Sequence, residues 1–251
     1  MASRRGQLLD GVLLLDKPEG LSSNHALQRA KRALDARKAG HTGTLDPFAT
    51  GLLVCCLGRA TKLAGQLLDS DKGYVATISF GTETDSGDLT GNVVSTADEG
   101  FEAVTAEALQ AILPEFRGDI EQIPPMHSAL KRDGKPLYKY AREGIELERP
   151  PRAVTIHKLD VLSVTATEAV IDVVCSKGTY IRTLAQDIGR RLGCGAHLSA
   201  LRRTRVGPFH IDQAIALETL QKMDAPQSVL IDLNDLPAGL RPVAFEQKDE
   251  L

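Results

Sequence analysis

One carboxylate stands among small and chain-breaking residues in the segment Gly40–Gly51, whose sequence is GHTGTLDPFATG. This carboxylate is Asp46, and Pro47 follows it. An Asp-Pro pair commonly starts a turn, in which the Asp side chain accepts hydrogen bonds from backbone N–H groups. The alternative is that Asp46 is kept ionised for chemistry, as a nucleophile or as an electrostatic catalyst. Spacing alone favours the turn, so the chemical interpretation depends on a second residue.

The second residue is Arg182, which lies in a predicted amphipathic helix. The segment KGTYIRTLAQDIGRRLGCG, residues 177–195, has an apolar stripe, with Thr179 as the predicted N-cap and Gly193 at the C-terminal end. Arg182 would then be the third helical residue, where a cation opposes the helix dipole at a cost of about 0.3–1 kcal/mol. An exposed Arg could tolerate that cost. A distant carboxylate such as Asp46 would instead offset it, and the guanidinium would keep that carboxylate ionised.

Three further polar side chains could likewise have either a structural or a functional role. His41 belongs to the Asp46 segment and would contact a phosphate or stay on the surface. Tyr74 starts a predicted strand on its apolar face, and Tyr180 lies two positions before Arg182. A tyrosine on an apolar face is usually a core residue with its hydroxyl on a polar partner. Because aromatic residues make up 4% of the chain and Trp is absent, a Tyr placed to stack on a nucleobase would matter more than usual.

Apolar periodicity predicts the helices and strands that must position these side chains. Buried or alternating runs predict strands in GVLLLDKPEG, at Leu52–Leu57, in YVATISF, and around Val154–Val164 and Ala169–Cys175. Helical spacing predicts helices in SSNHALQRAKRAL, with Ser22 or Ser23 as N-cap, around Leu63–Leu68, and at Thr105–Leu113, Leu137–Arg142 and Ile211–Lys222. Strands and helices without strict alternation predict an α+β fold with a mostly antiparallel or mixed sheet.

The formal net charge of −3 hides an uneven distribution. Residues 218–251 hold seven acidic and three basic residues, a balance of −4, which leaves +1 for the rest of the chain. The basic residues cluster in Arg29–Lys38, Lys131–Arg142 and Arg202–Arg205. Such clusters are often solvated faces, but three of them in an otherwise neutral stretch favour a polyanionic partner.

Composition argues against several classes of protein. The four cysteines, Cys55, Cys56, Cys175 and Cys194, include no C-x-x-C pair, and no His stands at zinc-finger spacing. We therefore predict buried thiols in a reducing compartment rather than a zinc site. No apolar run approaches the roughly 18 residues that a membrane helix needs, and the N-terminus does not have the pattern of a signal peptide. These features predict a cytoplasmic protein that binds neither metal nor membrane.

Motifs along most of the chain resemble the TruB family, the tRNA pseudouridine-55 synthases. In family order the matching segments are GVLLLDKPEGLSSN, KAGHTGTLDPFATGLL, GRATKL, SDKGYVATISFG, IPPMHSALKRDGKPLYKYAREG, CSKGTYIRTLAQDIGRRLGCGAHL and LRRTRVGPF. Together they span residues 11–209. The Asp46 segment and the sequence GTYIRTLAQDIG are the most specific of these matches.

The resemblance implies the pseudouridine synthase fold, a large mixed, mostly antiparallel sheet flanked by helices and loops. It implies isomerisation of one uridine in the T-arm of tRNA, at position 55, without a cofactor or metal. The bond from the base to the sugar breaks, the flipped-out uracil rotates, and C5 joins the sugar instead. Extruding the base costs roughly a few kcal/mol, which the pocket must return in stacking and hydrogen bonds. We also expect a monomer that needs no protein partner.

The matching motifs also imply roles for individual residues. Asp46 would be the catalytic aspartate, Tyr74 the tyrosine that stacks on the target base, and Arg182 the basic partner of the aspartate. The implied substrate-binding residues are His41, which helps to hold the flipped-out nucleotides, the apolar pocket residue Leu201, and the pocket-lining residues Lys17 and Tyr180.

The resemblance further implies a division of the chain. Residues 1–217 would form the catalytic domain, and the basic insertion at 118–151 would act as a thumb that closes on RNA through residues such as Lys131 and Arg132. Arg202 and Arg203 would touch backbone phosphates. Residues 218–251 would be a short acidic segment, the remnant or the start of the PUA-like domain that bacterial TruB proteins usually carry after the core.

Three alternatives stay open from the sequence. A non-catalytic RNA-binding or RNA-folding module on the same scaffold would not need Asp46, Tyr74 and Arg182 together. A guide-dependent, dyskerin-type relative works with partner proteins, whereas the basic insertion and short tail favour a stand-alone enzyme. A glycoside hydrolase needs two carboxylates flanking the bond, and Asp85 and Asp88 in TDSGD keep that alternative open.

Overall fold

The structure is a computed structural model that describes residues 6–101 and 103–240. Its strands are β1 (Gly11–Lys17), β2 (Ala39–His41), β3 (Thr50–Leu57), β4 (Lys72–Phe80), β5 (Thr82–Thr84), β6 (Val93–Thr96), β7 (Gly118–Gln122), β8 (Lys131–Arg132), β9 (Lys135–Pro136), β10 (Arg152–Val164), β11 (Glu168–Cys175), β12 (Ala196–Val206), β13 (Phe209–His210) and β14 (Ile215–Ala216). Its α-helices are α1 (Ser23–Ala33), α2 (Ala64–Asp69), α3 (Ala106–Ile112), α4 (Leu137–Arg142), α5 (Ile181–Arg191) and α6 (Leu217–Lys222). Short 3₁₀ helices cover Gly58–Leu63, Leu113–Phe116, Ile211–Gln213 and Pro226–Val229.

The chain divides into two compact units. The first unit combines residues 1–70 with residues 203–251, and the second unit is the continuous segment 71–202. Strand β12 crosses the boundary between them, so its last four residues belong to the first unit. Of the predicted acidic segment 218–251, residues 241–251 lie outside the described part of the chain. The predicted domain boundary after residue 217 stays a prediction.

The first unit is built on two buried strands, β1 and β3. They pair antiparallel from Gly11↔Leu57 to Lys17↔Gly51, and β14 adds a parallel partner to β1. Because successive strand residues point to opposite faces, each face buries its own set of apolar side chains. One face packs Val12, Leu14, Leu52, Val54 and Cys56 against Leu63, Leu67 and Phe209. The other face packs Leu13, Leu15, Leu53 and Cys55 against α1 and α6.

Four strands of the second unit pair antiparallel in the order β4-β11-β10-β7. Tyr74 of β4 lies opposite Val173 of β11, and Gln122 of β7 lies opposite Arg152 of β10. Helix α5 contacts β4. Of the predicted stripe it buries Ile181, Leu184, Ala185 and Ile188, whereas Leu192, the C-cap residue, is half-buried. The pairs β5–β6 and β8–β9 form separate two-stranded sheets.

Most of the predicted elements and the α+β class are confirmed. Helix α4 has the predicted bounds, and Ser22 caps α1 by accepting a hydrogen bond from the His25 backbone N–H (3.2 Å). The four cysteines are free and buried, as predicted. No helix within residues 6–101 and 103–240 is long and apolar enough to cross a membrane.

The predicted helix Ile211–Lys222 is wrong in its first half. The segment forms a 3₁₀ helix, then the short strand β14, and only then α6. Ile215 of β14 pairs with Leu15 of β1. Pairing with a distant strand therefore outweighs the local helical spacing, as tertiary context often does.

The predicted N-cap of α5 is wrong by one residue. Tyr180, not Thr179, occupies the cap position. The Thr179 hydroxyl donates to the Ser176 carbonyl (2.9 Å) and so takes part in the preceding turn. Arg182 is consequently the second residue of the helix rather than the third.

Candidate active site

Asp46 lies in a loop of the first unit, and the preceding residue, Leu45, is hydrogen-bonded to Ser23 of helix α1. The Ser23 hydroxyl accepts from the Leu45 backbone N–H (2.7 Å) and donates to the Leu45 carbonyl (2.9 Å), and both residues are buried. The Asp46 carbonyl then accepts from the Ala49 N–H (3.1 Å), which closes a turn. The predicted turn is therefore present through the backbone of Asp46, and its side chain is half-buried.

Lys17 ties the same loop to the end of β1. Its side chain is fully buried (0% exposed), and its ammonium group donates to the carbonyls of Pro18 (2.9 Å), Leu21 (2.7 Å) and Pro47 (3.3 Å). Burial lowers the pKa of Lys17 to about 8, although the negative charge of Asp46 acts in the opposite direction. At neutral pH Lys17 is thus a buried cation that holds the Asp46 loop by its backbone.

Arg203 holds the loop from a buried position, with 1% of the residue exposed. Its guanidinium donates to the carbonyls of Gly43 (3.1 Å) and Leu52 (2.8 Å). Gly51 has a φ of +103°, and a Cβ there would lie 2.3 Å from the Arg203 carbonyl oxygen, so a glycine is required. The prediction that Arg203 contacts RNA phosphates is wrong, because its guanidinium is buried against backbone carbonyls.

His41 lies on β2 at the start of the loop and is half-buried. Burial and the Arg203 cation lower the pKa of His41. The imidazole is therefore neutral at physiological pH, with one ring nitrogen as donor and the other as acceptor. Within the first unit the structure thus brings Lys17, His41 and Asp46 to one loop, with Arg203 as its buried support.

Arg182 is buried in the second unit, with 4% of the residue exposed. The alternative of an exposed, tolerated cation is therefore wrong. Its guanidinium donates to the carbonyls of Ser86 (2.8 Å) and His127 (2.7 Å), and its Nη1 lies 3.6 Å from Oδ2 of Asp88. The expected distant carboxylate exists in this unit as Asp88, and the pairing of Arg182 with Asp46 stays a prediction.

Asp88 is itself fixed by its own loop and is 3% exposed. Its Oδ1 accepts hydrogen bonds from the Ser86 hydroxyl (2.8 Å), the Thr90 N–H (2.9 Å) and the Thr90 hydroxyl (2.5 Å). Asp85 accepts from the backbone and the side chain of Asn92 (2.9 and 3.0 Å). The two acids that kept a glycoside hydrolase open are thus engaged in shaping this loop.

The two tyrosines predicted to bind the substrate lie in a strand and at a helix N-terminus of the second unit. Tyr74 is the third residue of β4 and is half-buried. Tyr180, also half-buried, is the N-cap residue of α5. The backbone N–H of Tyr180 donates to Gln122 Oε1 (3.0 Å), and the Tyr180 carbonyl accepts from Gln122 Nε2 (3.3 Å). On β12, Leu201 is 8% exposed and Arg202 is half-buried.

Lys131 and Arg132 form β8 and are exposed. Strands β8 and β9 are joined at Asp133 (φ +51°) and Gly134 (φ +77°), as in a two-residue hairpin of type I′. Other basic residues of this predicted cluster contact side chains within it: Lys135 pairs with Glu143 (2.5 Å) and lies 4.3 Å from the Tyr140 ring centre, and Arg142 lies 5.4 Å from that of Tyr138. The hairpin therefore presents Lys131 and Arg132 to solvent.

Sequence reasoning missed three relationships in these arrangements. They are the pairing of Asp88 with Arg182, the contact of the Gln122 amide with Tyr180 and the supporting role of Arg203. Each joins residues far apart in the sequence, so no local spacing marks it. Among the described residues, no group of three or more His, Cys, Asp or Glu side chains is placed to hold a metal ion.

Comparison with known proteins extends the sequence resemblance to most of the chain. The chain is 70% identical over 242 residues to tRNA pseudouridine synthase B of Bordetella avium, an alignment that covers 96% of this chain and 99% of the relative. It is 69% identical, with the same coverage, to tRNA pseudouridine synthase B of Bordetella pertussis. It is 54% identical to tRNA pseudouridine synthase B of Chromobacterium violaceum, with 96% of this chain and 84% of the relative aligned.

Solved structures share the fold at lower identity. The protein aligns with a chain of a Cbf5-Nop10-Gar1 complex at 30% identity and a TM-score of 0.70. It aligns with a chain of an H/ACA RNP bound to a substrate RNA containing 2'-deoxyuridine at 28% identity and a TM-score of 0.67. Each alignment covers 90% of this chain but only 60% of the solved chain. The predicted pseudouridine synthase fold is confirmed.

Two family models match consecutive parts of the sequence. The model for the tRNA pseudouridylate synthase B C-terminal domain matches residues 182–243. The model for the N-terminal domain of the TruB family pseudouridylate synthase matches residues 31–181, which is more than half of the chain. The chain therefore belongs to the TruB family of pseudouridylate synthases.

Proposed function

We propose that this protein isomerises uridine to pseudouridine in the T-arm of tRNA, at position 55. The observation that carries the proposal is the 70% identity to the tRNA pseudouridine synthase B of Bordetella avium across 99% of that relative. Asp46, Tyr74 and Arg182, the catalytic residues implied by the motifs, are all present. We further propose that the enzyme works as a cytoplasmic monomer without a metal or cofactor.

Asp46 is the catalytic carboxylate in this proposal. The hydrogen bonds of Ser23, Lys17 and Arg203 to its loop support it, because a reacting group must be held in a fixed geometry. The ionised carboxylate attacks C1′ of the sugar or stabilises the positive charge that develops there. The C1′–N1 bond breaks, the C1′–C5 bond forms, C5 loses its proton and N1 gains one. The product is thus an isomer of the substrate.

The remaining site residues bind and orient the extruded uridine. Tyr74 stacks on the base, and Leu201 provides an apolar wall. Arg182 keeps Asp46 ionised, and Tyr180 lines the pocket. His41 binds the displaced nucleotides by hydrogen bonds, which its neutral imidazole permits.

The exposed hairpin binds the tRNA backbone. Lys131 and Arg132 lie at its solvent-facing strand, and Arg202 adds a further phosphate contact. Phosphate contacts of this kind fix the register of the RNA and carry no sequence information themselves. In this arrangement residues 118–151 contribute the thumb of the catalytic domain, and strand β7 (Gly118–Gln122) attaches it to the sheet.

A guide-dependent enzyme is the second candidate. It is favoured by the fold shared with chains solved in Cbf5-Nop10-Gar1 and H/ACA RNP complexes. The identity to those chains is 28–30%, against 70% to tRNA pseudouridine synthase B. We therefore prefer the stand-alone tRNA enzyme.

The test is to incubate the purified protein with an unmodified tRNA transcript and to map pseudouridine at single-nucleotide resolution. We expect modification at position 55 by the protein alone. A parallel reaction with a transcript that carries cytidine at position 55 is the control and should yield no product. Modification only after addition of a guide RNA and partner proteins would favour the second candidate.

A further inference from the structure

Helix α5 begins without the local groups that usually satisfy a helix N-terminus. The first N–H groups of an α-helix have no partner within the helix. Tyr180 offers no side-chain cap, and the first turn contains no acidic residue. Arg182 adds a cation at the second position, which opposes the helix dipole. The start of the helix that carries Arg182 must therefore be fixed from elsewhere.

Gln122 supplies that connection from the end of strand β7. The residue is 2% exposed, and its amide makes two hydrogen bonds to Tyr180. Oε1 accepts from the Tyr180 N–H at 3.0 Å, and Nε2 donates to the Tyr180 carbonyl at 3.3 Å. One side chain thus binds both backbone groups of Tyr180, whose carbonyl also accepts the helical hydrogen bond from the Leu184 N–H (3.0 Å).

The backbone of Gln122 is rigidly held. Strand β7 pairs antiparallel with β10 from Gly118↔Ile156 to Gln122↔Arg152. An amide attached to a strand end has only its own side-chain torsions left to vary. The two hydrogen bonds therefore fix Tyr180 relative to the paired strands β7 and β10.

The chain that follows Gln122 also reaches Arg182. Residues 122–128 alternate, with Gln122, Pro124, Met126 and Ser128 buried, and the His127 carbonyl accepts from Arg182 Nη2 at 2.7 Å. Pro124 and Pro125 fix their own φ angles and so limit the freedom of this segment. A single short segment hence contacts both Tyr180 and Arg182.

We propose that Gln122 is a positioning residue for the pseudouridine synthase reaction. Through its two hydrogen bonds it fixes Tyr180 and the first turn of α5, and so sets the direction of the Arg182 guanidinium. Gln122 does not touch the reacting uridine. The inference rests on the proposed function, in which Tyr180 and Arg182 act on that uridine. A displacement of about 1 Å in such a site can cost about 100-fold in rate.

The experiment compares the wild type with Gln122→Met and Gln122→Glu in single-turnover reactions on unmodified tRNA. Gln122→Met keeps the shape but removes both hydrogen bonds, and we expect the rate constant to fall about 10- to 100-fold. The dissociation constant for tRNA should stay within about twofold, because Gln122 makes no contact with RNA in this proposal. An unchanged rate constant in Gln122→Met overturns the proposal.

Gln122→Glu adds a readout that a merely structural role would not move. A protonated carboxyl has one donor and one acceptor, as the amide has, whereas a carboxylate has only acceptors. The rate of Gln122→Glu relative to wild type should therefore be highest at low pH and fall as the pH rises. A ratio that does not change with pH overturns the proposal, and this arm decides it if Gln122→Met does not fold.

Thr155→Val is the matched control on the same pair of strands. It removes the hydrogen bond from the Thr155 hydroxyl to Asp119 (2.7 Å) without touching α5, so its rate should match the wild type. An equal loss of rate in Thr155→Val would mean that any weakening of β7 suffices, and would overturn the specific role of Gln122.

Hydrogen exchange separates this proposal from the proposed function. The Tyr180 amide should exchange slowly in the wild type and faster in Gln122→Met, whether or not the protein is active. If the wild type forms no pseudouridine at position 55, the proposed function fails while the exchange result still stands. If the wild type is active and Tyr180 exchange is unchanged in Gln122→Met, only the role of Gln122 fails.

Discussion

Nη1 of Arg182 lies 3.6 Å from Oδ2 of Asp88, and only 5% of each side chain is exposed. The guanidinium also donates to two carbonyls, and the carboxylate also accepts from Ser86 and Thr90. A buried ion pair is weak evidence of stability in itself, but removing one partner leaves an uncompensated buried charge. The pair therefore makes the β5–β6 loop and the start of α5 depend on each other.

Asp88→Asn should reveal this dependence. The amide keeps the size of the carboxylate but removes the negative charge, so the buried Arg182 loses the charge compensation that Asp88 provides. We expect the free energy of unfolding to fall by about 3–5 kcal/mol, as is typical when a buried pair is broken. Urea denaturation monitored by circular dichroism gives this value.

Asp85→Asn is the control for Asp88→Asn. Asp85 lies in the same loop but is exposed, and its carboxylate accepts hydrogen bonds from the backbone and the side chain of Asn92. Its loss should cost about 1 kcal/mol. Equal destabilisation by the two substitutions would mean that loop hydrogen bonds, and not the ion pair with Arg182, stabilise this region.

Asp46→Asn should separate chemistry from binding. The turn at Asp46 is closed by its backbone carbonyl, which the substitution leaves in place. We therefore expect a folded protein that binds tRNA with wild-type affinity and forms pseudouridine at least about 1,000-fold more slowly, the scale seen when a catalytic carboxylate or nucleophile is lost. Single-turnover assays and filter binding measure the two quantities. Retained turnover would exclude Asp46 from the mechanism.

The elements of the fold could be predicted from sequence because apolar spacing is a local signal. The alternation of buried residues in β1 and β3 and the stripe of α5 are visible in the letters alone. The strand at Ile215 was missed because its partner, Leu15, is distant in sequence and its own spacing is helical. Pairing between remote segments has no local pattern.

The candidate site was predictable only in part for a related reason. The motifs indicated Asp46 and Arg182, and the misplaced cation indicated a distant carboxylate as a partner of Arg182. Asp88 lies beside Arg182 in the structure, whereas the pairing of Arg182 with Asp46 stays a prediction. Spacing could not identify Asp88, nor could it tell that Arg203 is buried while Arg202 is half-buried. Burial of a charged side chain depends on which backbone carbonyls surround it, and these come from several elements.

The hairpin should contribute electrostatic affinity for tRNA. Charge reversal at both positions, Lys131→Glu with Arg132→Glu, should raise the KM and leave kcat largely unchanged, because these residues are exposed and remote from the bond chemistry in our proposal. The slope of log K against log salt should become shallower by about 1.5–2, as expected for two lost phosphate contacts. Binding titrations from low to high salt measure that slope.

Reversing two other exposed basic residues tests whether net charge alone explains a shallower salt slope. Lys158→Glu with Lys222→Glu alters the net charge by the same amount, but these side chains pair with Asp172 and Glu218 on β11 and α6. This variant should keep the wild-type slope. A similar loss of slope in both variants would count against a specific role for the hairpin.

Lys17 should make stability and rate respond to pH in opposite directions. Its pKa is about 8 in the folded protein, below the ordinary 10.5. Between these values the unfolded chain binds the extra proton, so the contribution of Lys17 to the free energy of unfolding rises as the pH rises from about 8 to about 10.5. Below about pH 8 the group is protonated in both states and its contribution is constant.

The rate should fall over the same alkaline range. Deprotonation of Lys17 removes a cation beside Asp46. It also removes one of the three N–H donors that bind the carbonyls of Pro18, Leu21 and Pro47, so the loop loses part of its support. We expect an alkaline limb in the single-turnover rate with an apparent pKa near 8. Lys17→Met should be slower at neutral pH and should lose this limb, since no group titrates at that position. If the limb persists unchanged in Lys17→Met, it belongs to another group, and Lys17 does not control the Asp46 loop.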